Sequence, residues 1–221
     1  MDKSESDTVI TEELLPGDLL FQLRSGGEVE WVISRIFAGR GGVAINHVGI
    51  YAGDGQVIEA VMPKVRKTSI EEFKARSVLD NHQSPCILVC RVRSEYSPLV
   101  VPALEFAENT LSHPYDTHYS GTKKSWYCSE LIVDSFRHAN QGEFLFQETP
   151  MSFRDMDSGE LLPYWGEHYR SIGQEVPEGL PGSHPALLSR SDIIVLVKNI
   201  GGLPAKEGSL WTGTDSRAML V

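Results

Sequence analysis

Apolar and polar positions along the chain fall into patterns with two different periods, and these mark out its elements. After the turn Leu14-Leu15-Pro16-Gly17-Asp18, the run Leu19 to Leu23 predicts a short strand, which Ser25 to Gly27 breaks. Val29, Val32, Ile33 and Ile36 then recur at helical spacing and predict an amphipathic helix from Glu28 to Phe37, closed by the loop Gly39-Arg40-Gly41-Gly42. Two strands, His47 to Ala52 and Gln56 to Val61, are joined by a hairpin turn at Gly53-Asp54-Gly55, and along the second strand Val57, Glu59 and Val61 share a face. Ser69-Ile70-Glu71-Glu72 has the form of a capping box opening a short helix. Cys86 to Val92 predicts a buried strand. A helical stretch runs from Ser97 toward Leu111, with Pro102 as a kink or a delayed start. His113-Pro114-Tyr115-Asp116 predicts a loop.

A further helix starts at Cys128, turns Leu131, Ile132, Ser135 and Phe136 inward, and ends near Asn140. From Gly142 to Arg190 the pattern weakens into a Pro-, Gly- and aromatic-rich stretch that predicts long ordered loops. Asp192 to Lys198 predicts one last strand. The domain is expected over residues 14–200, with a loose N-terminus over 1–13 and a mobile tail over 201–221.

Bulk composition narrows the possible roles. The chain has 221 residues, 41% hydrophobic and 23% charged, which suits one soluble globular domain. A formal net charge of -10 argues against nucleic acid as a partner and against docking by charge on an anionic bilayer. No stretch is long enough for an integral membrane segment, and the polar, acidic N-terminus has no signal-peptide pattern. Synthesis in the cytoplasm is therefore expected. The three cysteines suggest no disulfide framework. Cys86 and Cys90, four apart on one strand, face the same side, and with His82 they match zinc-ligand spacing poorly, so packing is expected there. Asp155-Met156-Asp157-Ser158-Gly159-Glu160 lacks the length and spacing of a calcium loop. No metal and no cofactor are expected.

The candidate chemistry lies in Cys128 and His47. N–H groups at a helix start favour negative charge, so a thiol there suits a thiolate, and an imidazole on a neighbouring strand can take and keep its proton. Glu59, across a tight hairpin from His47, can reach the far ring nitrogen and fix the tautomer. Each residue also has a plain alternative. Cys128 can be a small buried apolar group, His47 a hydrogen-bonded core histidine and Glu59 a solvated strand residue. His113 and His118 are nearer Cys128 in sequence and are alternative bases.

Five segments occur in one order: Pro16-Gly17-Asp18-Leu19-Leu20-Phe21, His47-Val48-Gly49-Ile50-Tyr51, Gly55-Gln56-Val57-Ile58-Glu59-Ala60, Pro114-Tyr115-Asp116 and Tyr127-Cys128-Ser129-Glu130-Leu131. Together they resemble the permuted branch of the NlpC-type papain-like cysteine hydrolases, the YiiX/YebB-like group. Pro181-Gly182-Ser183-His184-Pro185 and Ser189-Arg190-Ser191 resemble that group's C-terminal segment. The resemblance spans about Leu15 to Val197. It implies an α+β, circularly permuted papain-like (NlpC-type) fold, an antiparallel sheet packed against a nucleophile-bearing helix. It also implies a Cys128 nucleophile, a His47 base and a Glu59 orienting residue. Tyr51, Tyr115, Asp116 and Tyr127 are candidates for substrate binding, although Tyr115 and Asp116 can equally hold a neighbouring loop.

Three functions are open. The first is a cysteine amidase or endopeptidase. The resemblance implies amide bonds of peptidoglycan stem peptides as substrate, met either as recycled fragments in the cytoplasm or after delivery to a rival's periplasm by a type VI secretion system. Delivery brings an immunity protein and a secretion carrier as partners. The second is lipid acyl hydrolysis or transfer of the lecithin retinol acyltransferase type, from which Tyr127-Cys128 departs where an Asn-Cys motif is expected. The third is a non-catalytic peptide- or glycan-binding module.

Overall fold

The computed structural model describes residues 13–121 and 124–206. Its centre is a six-stranded sheet whose strands run, in chain order, β1 (Leu19–Gln22), β2 (His47–Gly53), β3 (Gln56–Val61), β4 (Lys64–Ser69), β5 (Ile87–Val92) and, last in the chain, β8 (Ile194–Ile200). Their spatial order is β4-β3-β2-β1-β5-β8, and all neighbours are antiparallel. The β2–β3 hairpin turns through Gly53, Asp54 and Gly55, at φ of 94°, 50° and 71°. Glycine adopts such angles without strain and aspartate tolerates them, so this tripeptide makes the turn directly. The turn brings the start of β2 alongside the end of β3.

The sheet is covered on both faces. Leu19, Phe21, Val48, Ile50, Ile58, Leu88 and Cys90 pack with Ala103 and Ala107 of α3 (Val100–Asn109) and with Leu131, Ile132 and Phe136 of α4 (Cys128–Ala139). Alternate positions Leu20, Val57, Ile87 and Val89 pack with Phe73 of α2 (Ile70–Ala75) on the other face. The period-two alternation of a strand thus serves two cores, and central strands read as almost continuous apolar runs. Ser69 caps α2 as expected, its Oγ accepting from Glu72 N at 3.1 Å, but the Glu72 carboxylate turns to Arg66 at 3.3 Å. A 3-10 turn at Ser94–Leu99 precedes α3, and Pro102 stands in the first turn of that helix, where its missing N–H costs nothing. It marks a delayed start.

Three parts of the chain depart from the pattern-based expectation. β4 was not anticipated, because Lys64-Val65-Arg66-Lys67-Thr68-Ser69 buries only Val65 and Thr68. It is an edge strand, and its charges shield that edge. Residues 142–190 form more than loops. They contain α5 (Pro163–Ser171), α6 (Pro185–Leu188) and a small ladder of β6 (Thr149–Pro150) with β7 (Pro181–Gly182). The inward face of α5 is carried by aromatics, Trp165 and Tyr169 one turn apart, and Gly166 interrupts the usual aliphatic pattern. These rings pack on Val32 and Ile36 of α1 (Glu28–Ile36).

The chain also stays packed beyond residue 200. Ala44 N donates to Pro204 O at 2.9 Å, and Lys206 N donates to Gly42 O at 2.8 Å. The rest of the expected tail, and the expected loose N-terminus through residue 12, lie outside the described residues. Among the described residues no helix is long and apolar enough to cross a membrane.

The fit of α5 on α1 depends on Trp165, which is 1% exposed. Trp165→Ala is expected to cost ~3–5 kcal/mol of stability, read as a lower urea midpoint with an unchanged slope.

Candidate active site

Cys128 is the first residue of α4 and is only 4% exposed. The entry to that helix is pinned twice. Glu130 reaches back so that Tyr127 N donates to its Oε2 at 3.4 Å, and Trp126 Nε1 donates to Asp134 Oδ2 at 3.0 Å. The thiol therefore stands at a fixed place beside the N–H groups of a helix start.

His47 is the first residue of β2, where the end of the sheet meets the start of α4. Its Nε2 lies 2.7 Å from Glu59 Oε2, and its ring lies beside Phe73, centroid to centroid 5.8 Å. With Nε2 engaged, Nδ1 is the nitrogen left for the thiol, and Cys128 lies close enough to act on the His47 charge. Burial alone would lower the His47 pKa, but the hydrogen bonds and charges of Cys128 and Glu59 outweigh it and raise the pKa above the ordinary 6.5.

Glu59 is fully buried. Its Oε1 accepts from Arg66 Nε at 3.2 Å and from Arg76 Nη2. The pairing of β3 with β4 sets Arg66 directly opposite Glu59, and Arg76 follows the last turn of α2. Burial pushes the carboxyl pKa up, but the bonds and charges of His47 and then Arg76 overcome that and bring it down to about 2. The two groups act on stability in opposite pH directions. The His47 contribution is present below 6.5 and is lost as pH rises through its raised value. The Glu59 contribution is present above 4.5 and is lost as pH falls through about 2.

Two cavities meet at Cys128. One, of about 40 Å³, is walled by Ile33, Phe37, Tyr127, Met151, Phe153 and His184. The other, of about 250 Å³, is walled by Arg24, Glu30, Asn46, His47, Tyr164 and His168. Tyr115, Tyr119 and Trp165 line both. Burial raises the pKa of Tyr115 and of Tyr119, which stand side by side in the two cavities.

The structure sorts the remaining candidates. Tyr115 and Tyr127 line a cavity, and the Tyr127 hydroxyl also accepts from Ser183 N at 3.0 Å, fixing the segment before α6 as a wall. Asp116 lines neither cavity; its carboxylate accepts from His118 N and Ser120 N, each at 2.9 Å, and so folds the loop that presents Tyr119. Tyr51 also lines neither, since its hydroxyl accepts from Gly55 N within the hairpin turn. Neither His113 nor His118 lines either of these two cavities, and His113 Nδ1 bonds to Thr110 O at 2.9 Å.

Tyr119, Arg24, Arg66 and Arg76 had not been singled out from sequence. Only a cross-strand register or a folded loop reveals them. His184 in the smaller cavity is held neutral, its pKa lowered to about 4 by burial despite a hydrogen bond to Ile33 O. Burial pushes the Cys86 and Cys90 thiols up to about 11 and about 12, in keeping with packing roles. The Asp155 carboxylate is taken by Arg35 Nε at 2.7 Å, with Arg35 Nη2 on Asp157 at 2.7 Å. Among the described residues no group of three His, Cys, Asp or Glu could hold a metal ion.

A thiol at a helix start, an imidazole beside it, and a carboxylate on the far nitrogen can together transfer a proton and expose a sulfur nucleophile. The Cys128 N–H can donate to the oxygen of a carbonyl attacked there. Residues 13–195 match the family described as permuted papain-like amidase enzyme, YaeF/YiiX, C92 family. No curated protein matches the chain. Among solved structures, metalloprotein yiiX from Escherichia coli O157:H7 is similar at a TM-score of 0.66 and 21% identity, over 85% of this chain and 98% of that one. A likeness at that identity speaks for the fold, and the fold expected from sequence is the one found.

The charges around Glu59 make a signed prediction for the His47 ring, followed by NMR titration. Glu59→Gln removes the partner of the imidazolium and lowers the His47 pKa by about one unit or more. Arg76→Met removes a competing cation and raises it. A fall in Arg76→Met would show that the guanidinium serves only to hold Glu59 in place.

Proposed function

The chain belongs to the permuted papain-like amidase family, and from that membership we propose that Cys128, His47 and Glu59 perform its amide hydrolysis. Cys128 Sγ gives its proton to His47 Nδ1 and attacks the carbonyl carbon. The carbonyl oxygen gathers negative charge beside the Cys128 N–H. His47 returns the proton to the departing nitrogen, the C–N bond breaks, and a thioester remains on Cys128. Water, deprotonated by His47, attacks the thioester and releases the acid and the thiol. Glu59 keeps the imidazole oriented and stabilises its charged form. The observation that carries this reading is His47 held between Cys128 and Glu59 where two cavities meet.

For substrate we propose the stem peptides of peptidoglycan. The smaller cavity, at about 40 Å³ and walled largely by apolar side chains, suits a short side chain such as that of alanine. The amidase description of the family favours a peptide over a lipid acyl ester. We further propose that the enzyme is delivered to a target-cell periplasm by a type VI secretion system, with an immunity protein guarding the producer. Such delivery would bring it to the wall that holds this substrate.

Purified stem peptides incubated with the protein should be cut at one amide bond, with Cys128→Ala slower by at least ~10³-fold. Release of free fatty acid from phospholipid, with stem peptides left intact, would favour the acyl-ester alternative. Expression directed to the periplasm should lyse cells with the wild type and not with Cys128→Ala. Peptide cleavage without lysis would point to recycled fragments and remove the delivery proposal.

A further inference from the structure

His47 lines only the larger cavity, whereas Cys128 lines both. The group that protonates a departing nitrogen must stand on the departing side of the bond. The larger cavity is therefore the seat of the leaving amine, and the small apolar cavity takes the acyl part.

Two oppositely charged side chains stand on the leaving side. Arg24 Nη1 lies 3.2 Å from Glu30 Oε1. Their placement is built into the fold by Asn46, which is buried and adjacent to His47. Its Oδ1 accepts from Arg24 N at 2.7 Å, and its Nδ2 donates to the carbonyls of Arg24 and Glu30, each at 3.0 Å. One side-chain amide thus fixes both charges relative to the candidate base.

The Arg24 Nε is enclosed and has no partner among the described residues, and one terminal nitrogen faces Glu30. The side chain is still 22% exposed, so part of the guanidinium remains within reach of a ligand. A guanidinium with open donors is suited to a carboxylate. The cavity, at about 250 Å³, has room for a residue-sized group.

We propose that Arg24 binds a free carboxylate carried by the leaving amine. The scissile amide then joins an acyl group with a short side chain to a terminal amino acid, and cleavage releases that amino acid. Glu30 competes for the same guanidinium and so limits how tightly the released product is held. The proposal rests on the amidase roles given above to Cys128 and His47.

Bromoacetyl-alanine and bromoacetyl-alaninamide test it without a known substrate. Each alkylates a thiol with loss of bromide, and each would direct its alanine part into the leaving-group cavity. The quantity read is the rate ratio at Cys128, carboxylate probe over amide probe, followed by peptide mapping. Taking a ratio cancels any general change in thiol reactivity. The ratio is expected to be about ten in the wild type and about one in Arg24→Gln. It should rise above the wild-type value in Glu30→Gln, a substitution of opposite sign that keeps the test decisive if Arg24→Gln folds poorly. A wild-type ratio of one, or a ratio unmoved by both substitutions, overturns the carboxylate site and leaves the nucleophile standing. If neither probe labels Cys128, the amidase roles fail and this proposal fails with them.

Discussion

One buried negative charge organises this molecule. An ionised carboxylate with no access to water is costly unless it is paired and hydrogen-bonded, by several kcal/mol in order of magnitude. Glu59 is fully buried, and three cationic or protonatable groups converge on it from different elements. His47 comes from β2, Arg66 from the edge strand β4, and Arg76 from the end of α2. The pairing that keeps the charge tolerable therefore also fixes where a strand start, a sheet edge and a helix end must lie. Because three groups share the pairing, removing one leaves Glu59 paired but less well compensated. Stability and site geometry are not separable here.

The two arginines have a second consequence. A carboxylate bonded only to an imidazole lends it its whole charge. Here Oε2 serves His47 while Oε1 is shared by two guanidiniums. Glu59 thus stays ionised well below the usual carboxylate range, and its pull on the His47 proton is moderated. In the proposed mechanism the imidazole both accepts and returns a proton, and such a moderated partner suits both steps.

Much of this was legible in the chain. Strand and helix periods located the central strands, the β2–β3 hairpin and α4, because their apolar residues face cores directly. Gly53-Asp54-Gly55 gave away the turn that juxtaposes His47 with Glu59. What stayed hidden depended on partners rather than on pattern. β4 is polar because it is an edge, and α5 buries aromatic rings where the eye seeks aliphatic ones. Arg66 and Arg76 look like any solvated arginine until a register sets the first opposite Glu59 and a helix end brings the second. Tyr119 reaches the cavities through a loop that the Asp116 carboxylate folds, so the motif residue Asp116 organises and its unremarked neighbour lines the wall.

The permuted order of the chain follows from the same geometry. The imidazole and its carboxylate come from one hairpin, and the thiol comes from one helix packed across it. Each unit is formed by local contacts, and they meet through the shared core of β2, β3 and α4, which does not record which was made first. A thiol-first chain and this hairpin-first chain can thus present the same three groups. Chain order does decide what else reaches the site. With the nucleophile helix late, the segment after α4 is free to return over it. It supplies Ser183 against Tyr127, His184 in the small cavity and the α5 aromatics between the two cavities. Much of the smaller cavity's wall is thus built from the part of the chain with the weakest sequence pattern, because a wall need not repeat with the period of a strand or a helix.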